Sequence, residues 1–288
     1  MPQTINTNLA SLNAQRSLNT SQGSLATSMQ RLSSGLRVNS AKDDAAGQAI
    51  AERMTAQVRG MSVAVRNAND GISMAQTSEA SLGKVNDAMQ RMRELAVQSA
   101  NSSNSNGDKI SLDKEFGELA KEVQRVLGAT TFNGKHVLGS EAGIMQFQVG
   151  PNTTPDDTIN INTVDLTADP VIVAVAGSDN TGNGRPVIDD TANVAAIHEV
   201  IDKIDTALDR LNSERATLGA SQSRFESVIS NLQVSVESQT AARSRIMDAD
   251  FAAETANLSR SQILQQAGNA MVAQANQLPQ QVMRLLQG

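Results

Sequence analysis

Apolar residues recur in a helical rhythm along both ends of this chain. Near the start, Ile5, Leu9, Leu12, Leu18, Leu25, Met29, Leu32 and Leu36 mark an amphipathic helix. Near the end, Leu264, Ala267, Met271, Ala275, Leu278, Val282 and Leu285 mark another. Neither end carries a core of its own. Each stripe therefore needs cover, from the other terminal helix and from other chains. The pattern points to assembly rather than to a catalytic cleft.

Inside these ends the same spacing continues. Met54, Val58, Met61, Val65, Ala68, Ile72, Ala75, Leu82 and Met89 predict a helix over 44–99, with Asp43 and Asp44 at its start, where the helix dipole favours acids. At 1.5 Å per residue that helix is about 80 Å long. The polar run from Asn101 to Gly107 breaks it. Leu112, Phe116, Leu119, Val123 and Val126 then predict a shorter helix over 109–127, folding back as an antiparallel hairpin. From Val194 two heptad positions run in parallel. One holds Val194, Ile201, Leu208, Arg215, Gln222, Ile229 and Val236. The other holds Ile197, Ile204, Leu211, Leu218, Phe225, Leu232 and Gln239. All but Arg215, Gln222 and Gln239 are apolar, which is a coiled-coil signature for a helix over 194–239.

The stretch between the helical halves changes period. Met145–Val149 and Thr158–Asn162 alternate apolar and polar, as strands do, and Val171–Val175 is a further strand candidate. Thr131-Phe132-Asn133-Gly134 and Val149-Gly150-Pro151-Asn152 are turn signals, and 177–184 reads as a loop tip. The expected fold is mainly α: a long antiparallel helical rod with coiled-coil terminal helices and a small β-rich outer element. Three parts are expected. Residues 1–43 with 245–288 form a discontinuous inner domain, 44–140 with 190–244 a helical rod, and 141–189 the outer element.

Composition sharpens this reading. The chain has no Trp, Tyr or Cys and only 5 Phe in 288 residues, so the aromatic walls of an ordinary ligand pocket are missing. No disulfide framework is possible. No cationic start followed by an apolar run marks a cleavable signal peptide, and no run of about 18 apolar residues is present to span a membrane. The net charge of −6 is unevenly spread. Residues 1–42 carry Arg16, Arg31, Arg37 and Lys42 and no acid, whereas 140–193 is strongly acidic. Four cations along a helix make too sparse a stripe for nucleic acid, and Asp43-Asp44 stands where a dense basic region would have to be.

Candidate chemistry is thin. His136 and His198 lie far apart, without ligand spacing around them, and no HExxH, CxxC, GxxxxGK[ST] or GxSxG occurs. Asp156-Asp157 and Asp189-Asp190 fall in expected turns. Met54, Met61, Met89 and Met92 sit at helical spacing and read as core filler. No catalytic, cofactor or metal residue is assigned.

Several segments together resemble bacterial flagellin. They are Ser33-Ser-Gly-Leu-Arg-Val-Asn-Ser-Ala-Lys-Asp-Asp-Ala-Ala-Gly47, Gln90-Arg-Met-Arg-Glu-Leu-Ala-Val-Gln-Ser-Ala-Asn101 and Thr131-Phe-Asn-Gly-Lys135 in the first half. In the second half they are Ala242-Arg-Ser-Arg-Ile-Met-Asp-Ala-Asp250, Gln262-Ile-Leu-Gln-Gln-Ala-Gly268 and Ala273-Gln-Ala-Asn-Gln-Leu-Pro279. The likeness covers roughly 1–140 and 190–288. The middle is short beside members with large outer domains.

The resemblance implies a filament subunit, secreted and extracellular, with its terminal helices lining an inner tube and disordered in the free monomer. By resemblance the terminal-helix assembly residues are Ile5, Leu9, Leu12, Leu25, Met29, Leu32, Leu36, Leu264, Met271, Leu278, Val282 and Leu285. The implied partners are further copies of the chain, the flagellar type III export apparatus, a flagellin chaperone on the C-terminal helix, and the hook-associated and cap proteins. Toll-like receptor 5 recognises some family members, and that motif maps here to Gln90, Arg91, Leu95, Gln98 and Glu115. Arg91, Arg93 and Glu94 also suit contacts between subunits. A hook–filament junction protein shares the same plan and is the alternative reading; its ends resemble this chain less.

Overall fold

The structure, a computed structural model, describes residues 7–286, with side chains described for 7–277. It is mainly helical. The elements run α1 (Leu9–Ser34), α2 (Ala45–Ser99), α3 (Asn106–Ala129), β1 (Thr131–Phe132), β2 (Lys135–His136), β3 (Ile144–Gln148), β4 (Thr158–Asn162), α4 (Pro170–Ala176), α5 (Val194–Met247) and α6 (Phe251–Leu286). The chain divides into two compact units, residues 1–56 with 237–288 and residues 57–236.

In the unit of residues 57–236, α2, α3 and α5 share one core. Met74, Leu82, Met89, Met92 and Leu95 of α2 meet Phe116, Val123 and Leu127 of α3 and Ile197, Ile204, Leu211, Leu218 and Phe225 of α5, all buried. The second of the two heptad positions therefore faces the core, while Val194 of the first is exposed. Of the methionines read as core filler, Met61, Met89 and Met92 are buried and Met54 is half-buried. Both packings are antiparallel. Arg91 of α2 meets Glu115 of α3, and Arg93 and Glu79 of α2 meet Asp205 and Gln222 of α5. The start of α3 is fixed by Ser105, whose hydroxyl accepts from the Asp108 N–H while the Asp108 carboxylate accepts from the Ser105 N–H, a reciprocal cap.

Strands β3 and β4 pair antiparallel with Phe147 opposite Ile159. One face of the pair, with Ile159, Ile161 and Phe147, joins the same core. The small β1–β2 hairpin turns at Asn133, a non-glycine residue at φ 49°, where the sequence signalled a turn.

Val171–Val175 is not a strand. It lies in the helix α4, and the reason is local chemistry that outweighs β propensity. Asp169 caps the helix by accepting from the Val171 N–H at 2.9 Å, and Pro170 occupies the first turn, where its missing N–H costs nothing. Ile172, Val175 and Ala176 then share one buried helical face, packed against α3. Arg210 of α5 holds the cap residue, its Nε donating to Asp169 Oδ2 at 3.0 Å.

Candidate assembly interface

In the unit of residues 1–56 with 237–288, α1 and α6 pack along their lengths as an antiparallel pair. Helix α1 starts at Asn8, whose side chain accepts from the Ser11 N–H at 3.1 Å. Its far end is tied to the turn before α6. The Ala249 N–H donates to the Gly35 carbonyl at 3.0 Å, the Arg37 N–H donates to the Met247 carbonyl at 2.6 Å, and Arg37 Nη2 donates to the Ile246 carbonyl at 2.7 Å.

The seam between the two helices follows a heptad rhythm. On α1, Ser11, Ala14, Leu18, Ser21, Leu25, Ser28 and Leu32 are buried or half-buried. On α6, Glu254, Leu258, Ser261, Gln265, Gly268, Val272 and Ala275 are. Small side chains let the backbones approach closely. A Cβ on Gly268 would stand 3.1 Å from Leu18 Cδ1. Polar contacts close the seam at one end, where Asn8 Nδ2 donates to the Ala275 carbonyl and Ser11 Oγ donates to Asn276 Oδ1, each at 2.7 Å.

The expected stripes divide between the seam and the open surface. The most apolar positions of the two stripes do not pair with each other within the chain. Leu9 is 64 % exposed, Met271 is 63 % exposed, and Leu12, Met29 and Leu264 are also open, joined by Phe251 and Ile263. Of the expected assembly residues only Leu25 and Leu32 lie in the seam, and Leu36 lies in the turn that bridges to Asp248. Ile5 lies outside the described residues, and so do the side chains of Leu278, Val282 and Leu285. The physical reason is that each terminal helix has two faces to cover. On α1 the seam takes Leu18, Leu25 and Leu32, and Leu9, Leu12 and Met29 stay open. The seven-residue repeat of serine with alanine and leucine on α1 was the signal in the sequence that could have found it.

On α2 and α3, Gln90, Arg91, Gln98 and Glu115 are all exposed. Arg91 donates to Glu94 and Glu115, each at 2.9 Å. Those two carboxylates, Glu94 first, raise the Arg91 pKa above its ordinary value. Leu95 is not among them. It is 0 % exposed and sits in the α2–α3–α5 core, because its helical position faces inward with Met92 and Ala96. Arg93 likewise turns to its own chain, with Nε and Nη2 donating to the two oxygens of Asp205 at 2.6 and 3.1 Å.

A clamp that the sequence did not signal lies between α3 and the segment before α5. Arg185 Nη1 and Nη2 fork onto Asp113 at 2.8 and 2.6 Å, and the same carboxylate accepts from the Ile188 N–H at 3.0 Å. Arg185 also stands over the Phe116 ring, 5.8 Å from its centre. Burial pushes the Asp113 carboxyl up, but the Arg185 hydrogen bonds and charge and the Ile188 N–H outweigh it and hold the pKa below the ordinary value. Asp113 and Arg185 are far apart in sequence and in different composition zones, so no spacing rule joins them.

No group of three metal-capable side chains is found among the described residues, and no helix among them is long and apolar enough to cross a membrane. Asp157 and Asp189, from the two acid pairs, accept bonds from Thr154 and Thr191 as turn caps. His136 Nδ1 lies 2.6 Å from the Gly128 carbonyl at the end of α3.

Residues 5–142 match the bacterial flagellin N-terminal helical region, and residues 201–286 match the bacterial flagellin C-terminal helical region. The chain belongs to the flagellin family. A flagellin of Halalkalibacterium halodurans is 44 % identical, over 98 % of this chain and 99 % of its own length. One of Xenorhabdus nematophila is also 44 % identical, over 99 % of this chain and 100 % of its own. The crystal structure of Bacillus cereus flagellin aligns with 58 % of this chain and 88 % of its own, at 29 % identity and a TM-score of 0.47. In this member of the family, the first matched region holds α1 to β2 and the second holds most of α5 and all of α6. The strands β3 and β4 and the helix α4 lie between the two flagellin regions.

Proposed function

We infer that this chain is a structural subunit that polymerises through its N- and C-terminal helices into the bacterial flagellar filament and so serves swimming motility. One observation supports this above the others. The paired terminal helices leave Leu9, Leu12, Met29, Ile263, Leu264 and Met271 open to water. Covering a large apolar side chain contributes about 1.5–3 kcal/mol. Equivalent helices of further copies would supply that cover, which makes assembly favourable.

The test is electron microscopy of the purified full-length chain seeded with salt, beside a variant lacking residues 1–40 and 250–288. Tubes from the full chain and none from the truncated one are expected. Tubes from the truncated chain, or none from the full chain under any condition, would overturn the reading.

Family membership supports the rest of the proposal. The subunit is exported through the flagellar type III apparatus and acts outside the cell. A chaperone covers the open face of α6 before assembly. Hook-associated and cap proteins meet the same helices at the filament ends. The exposed Gln90, Arg91, Gln98 and Glu115 engage either a neighbouring subunit or Toll-like receptor 5. Binding of the isolated subunit to the receptor ectodomain tests the last point, with Arg91→Ala expected to weaken it.

A further inference from the structure

Asparagine stands directly before glycine at three places, Asn106-Gly107, Asn133-Gly134 and Asn183-Gly184. Such a pair can react within itself. The backbone nitrogen of the glycine attacks the side-chain carbonyl carbon of the asparagine. A C–N bond forms, ammonia leaves, and a cyclic succinimide results. Water then opens the ring at either carbonyl and gives aspartate or isoaspartate. Glycine favours the attack because it has no side chain to obstruct it and leaves the backbone free to turn. The asparagine backbone must rotate until the next nitrogen meets its side-chain carbon, and a helix or a hairpin resists that rotation.

We propose that Asn183 is the site of spontaneous deamidation in this protein, and that the fold protects the other two asparagines. Asn106 opens α3, inside the turn that Ser105 and Asp108 close by their reciprocal cap. Asn133 is held at φ 49° in the β1–β2 hairpin, beside the paired Phe132 and Lys135. Asn183 belongs to no helix or strand, and both it and Gly184 are exposed. The Gly184 N–H, which must deliver the attack, donates to no acceptor among the described residues. One backbone bond restrains the turn, from the Ser178 N–H to the Asn183 carbonyl at 3.0 Å. Opening an exposed loop at one bond costs far less than unwinding a capped helix or a hairpin.

The position of Asn183 gives its conversion a structural consequence. Its carbonyl presses on Gly177, where a Cβ would stand 2.5 Å from the Asn183 oxygen. The Gly177 carbonyl is anchored in turn by buried Gln124 of α3, whose Nε2 donates to it at 2.6 Å. On the other side, Arg185 follows Gly184 and forks onto Asp113 of the same helix. The loop is therefore fastened to α3 at both ends. Isoaspartate adds one atom to the backbone between residues 183 and 184, and that added length falls between the two fastenings. It shifts Arg185 off Asp113, which leaves a largely buried carboxylate without its cation. Aspartate at 183 adds a charge but keeps the backbone length, so the clamp survives it. The stability of the unit of residues 57–236 then falls with the age of the molecule.

The test ages the full-length, unseeded chain at mildly alkaline pH, beside the same chain in denaturant. Peptide mass mapping, with fragmentation that tells isoaspartate from aspartate, follows all three sites over time. In denaturant they should convert at comparable rates. In the folded chain Asn183 should convert at nearly its denatured rate, while Asn106 and Asn133 lag several-fold. The converted protein, separated by its extra negative charge, should melt below the parent. Asn183→Asp should melt close to the parent, and Asn183→Gln, which can close only a larger and slower ring, should keep its melting temperature through the same ageing. Conversion of Asn106 or Asn133 ahead of Asn183 in the folded chain would overturn the proposal. So would equal protection of all three sites on folding, or the same ranking of sites in denaturant, which would assign the preference to local sequence alone. A converted fraction that melts with the parent would overturn the consequence for the clamp, as would an Asn183→Asp protein that melts as low as the converted one.

Discussion

Phe225 of α5 lies directly against Gly71 of α2: a Cβ on Gly71 would stand 2.7 Å from Phe225 Cζ. The Phe147 ring of β3 meets Phe225 edge-on, with ring centres 5.6 Å apart and planes at 86°. Helix, helix and hairpin therefore converge on one buried ring. Gly71→Ala is expected to destabilise this unit by about 1–3 kcal/mol through overpacking, reduced by the roughly 1 kcal/mol that alanine gains in a helix. Phe225→Ala should cost more, about 3–5 kcal/mol. Denaturant unfolding of both variants checks this, and a more stable Gly71→Ala protein would show that the ring has room to move.

The Asp113–Arg185 clamp makes stability depend on acid. A carboxyl whose pKa is lower in the folded chain stabilises it above the unfolded value and loses that contribution as pH falls through the folded pKa. Asp113 sits below its ordinary value of 3.8. The stability difference between the parent and Asp113→Asn should therefore hold from neutral pH down to that region and shrink below it. Arg185→Ala leaves a largely buried carboxylate unpaired and should cost about 3–5 kcal/mol at neutral pH, toward the lower end because water still reaches the pair. Thermal unfolding across a pH series reads both effects.

The open apolar residues of the terminal helices should separate folding from assembly. Replacing Leu264 and Met271 together by Gln touches exposed positions, so subunit stability should change by no more than about 0.5 kcal/mol per site. Sedimentation of salt-seeded protein should show a large loss of polymer at the same concentration. Polymer yields equal to the parent's would place the subunit contact on another face.

Arg91 and Leu95 should part company in a receptor-binding assay. Leu95→Ala opens a core cavity and should destabilise the chain by about 2–5 kcal/mol. Any loss of binding it causes should track unfolding. Arg91→Ala removes an exposed cation, leaves the unfolding curve in place, and should reduce binding directly. Circular dichroism run beside surface binding distinguishes the two.

The cap of α4 gives a smaller test. Asp169→Ala removes the acceptor for the Val171 N–H and the partner of Arg210. A loss of about 0.5–2 kcal/mol is expected from the cap, read by denaturant unfolding of the full chain. An unchanged protein would mean that Pro170 and the buried face of α4 suffice to hold the helix.

Much of this molecule is written in local sequence. The three–four spacing of α2 and the heptads of α5 predict long helices, because burial of one face dominates over helices of this length. The alternation at Met145–Val149 and Thr158–Asn162 marks β3 and β4 for the same reason at period two. What the sequence leaves open depends on choosing between alternatives of similar local energy. Val171–Val175 has strand-forming residues, and only the cap at Asp169, Pro170 and the packing against α3 make it a helix. Each terminal helix offers two faces, and only the close approach of Leu18 to Gly268 and the burial of Glu254 show which one pairs within the chain. Leu95 follows exposed Arg93 and Glu94 in sequence, yet with Met92 and Ala96 it lies on the face of α2 turned inward against α3 and α5. Asp113 and Arg185 are strangers in sequence, brought together when the segment before α5 folds onto α3. Periodicity fixes which residues want cover, while the partner that covers them is a property of the packed chain.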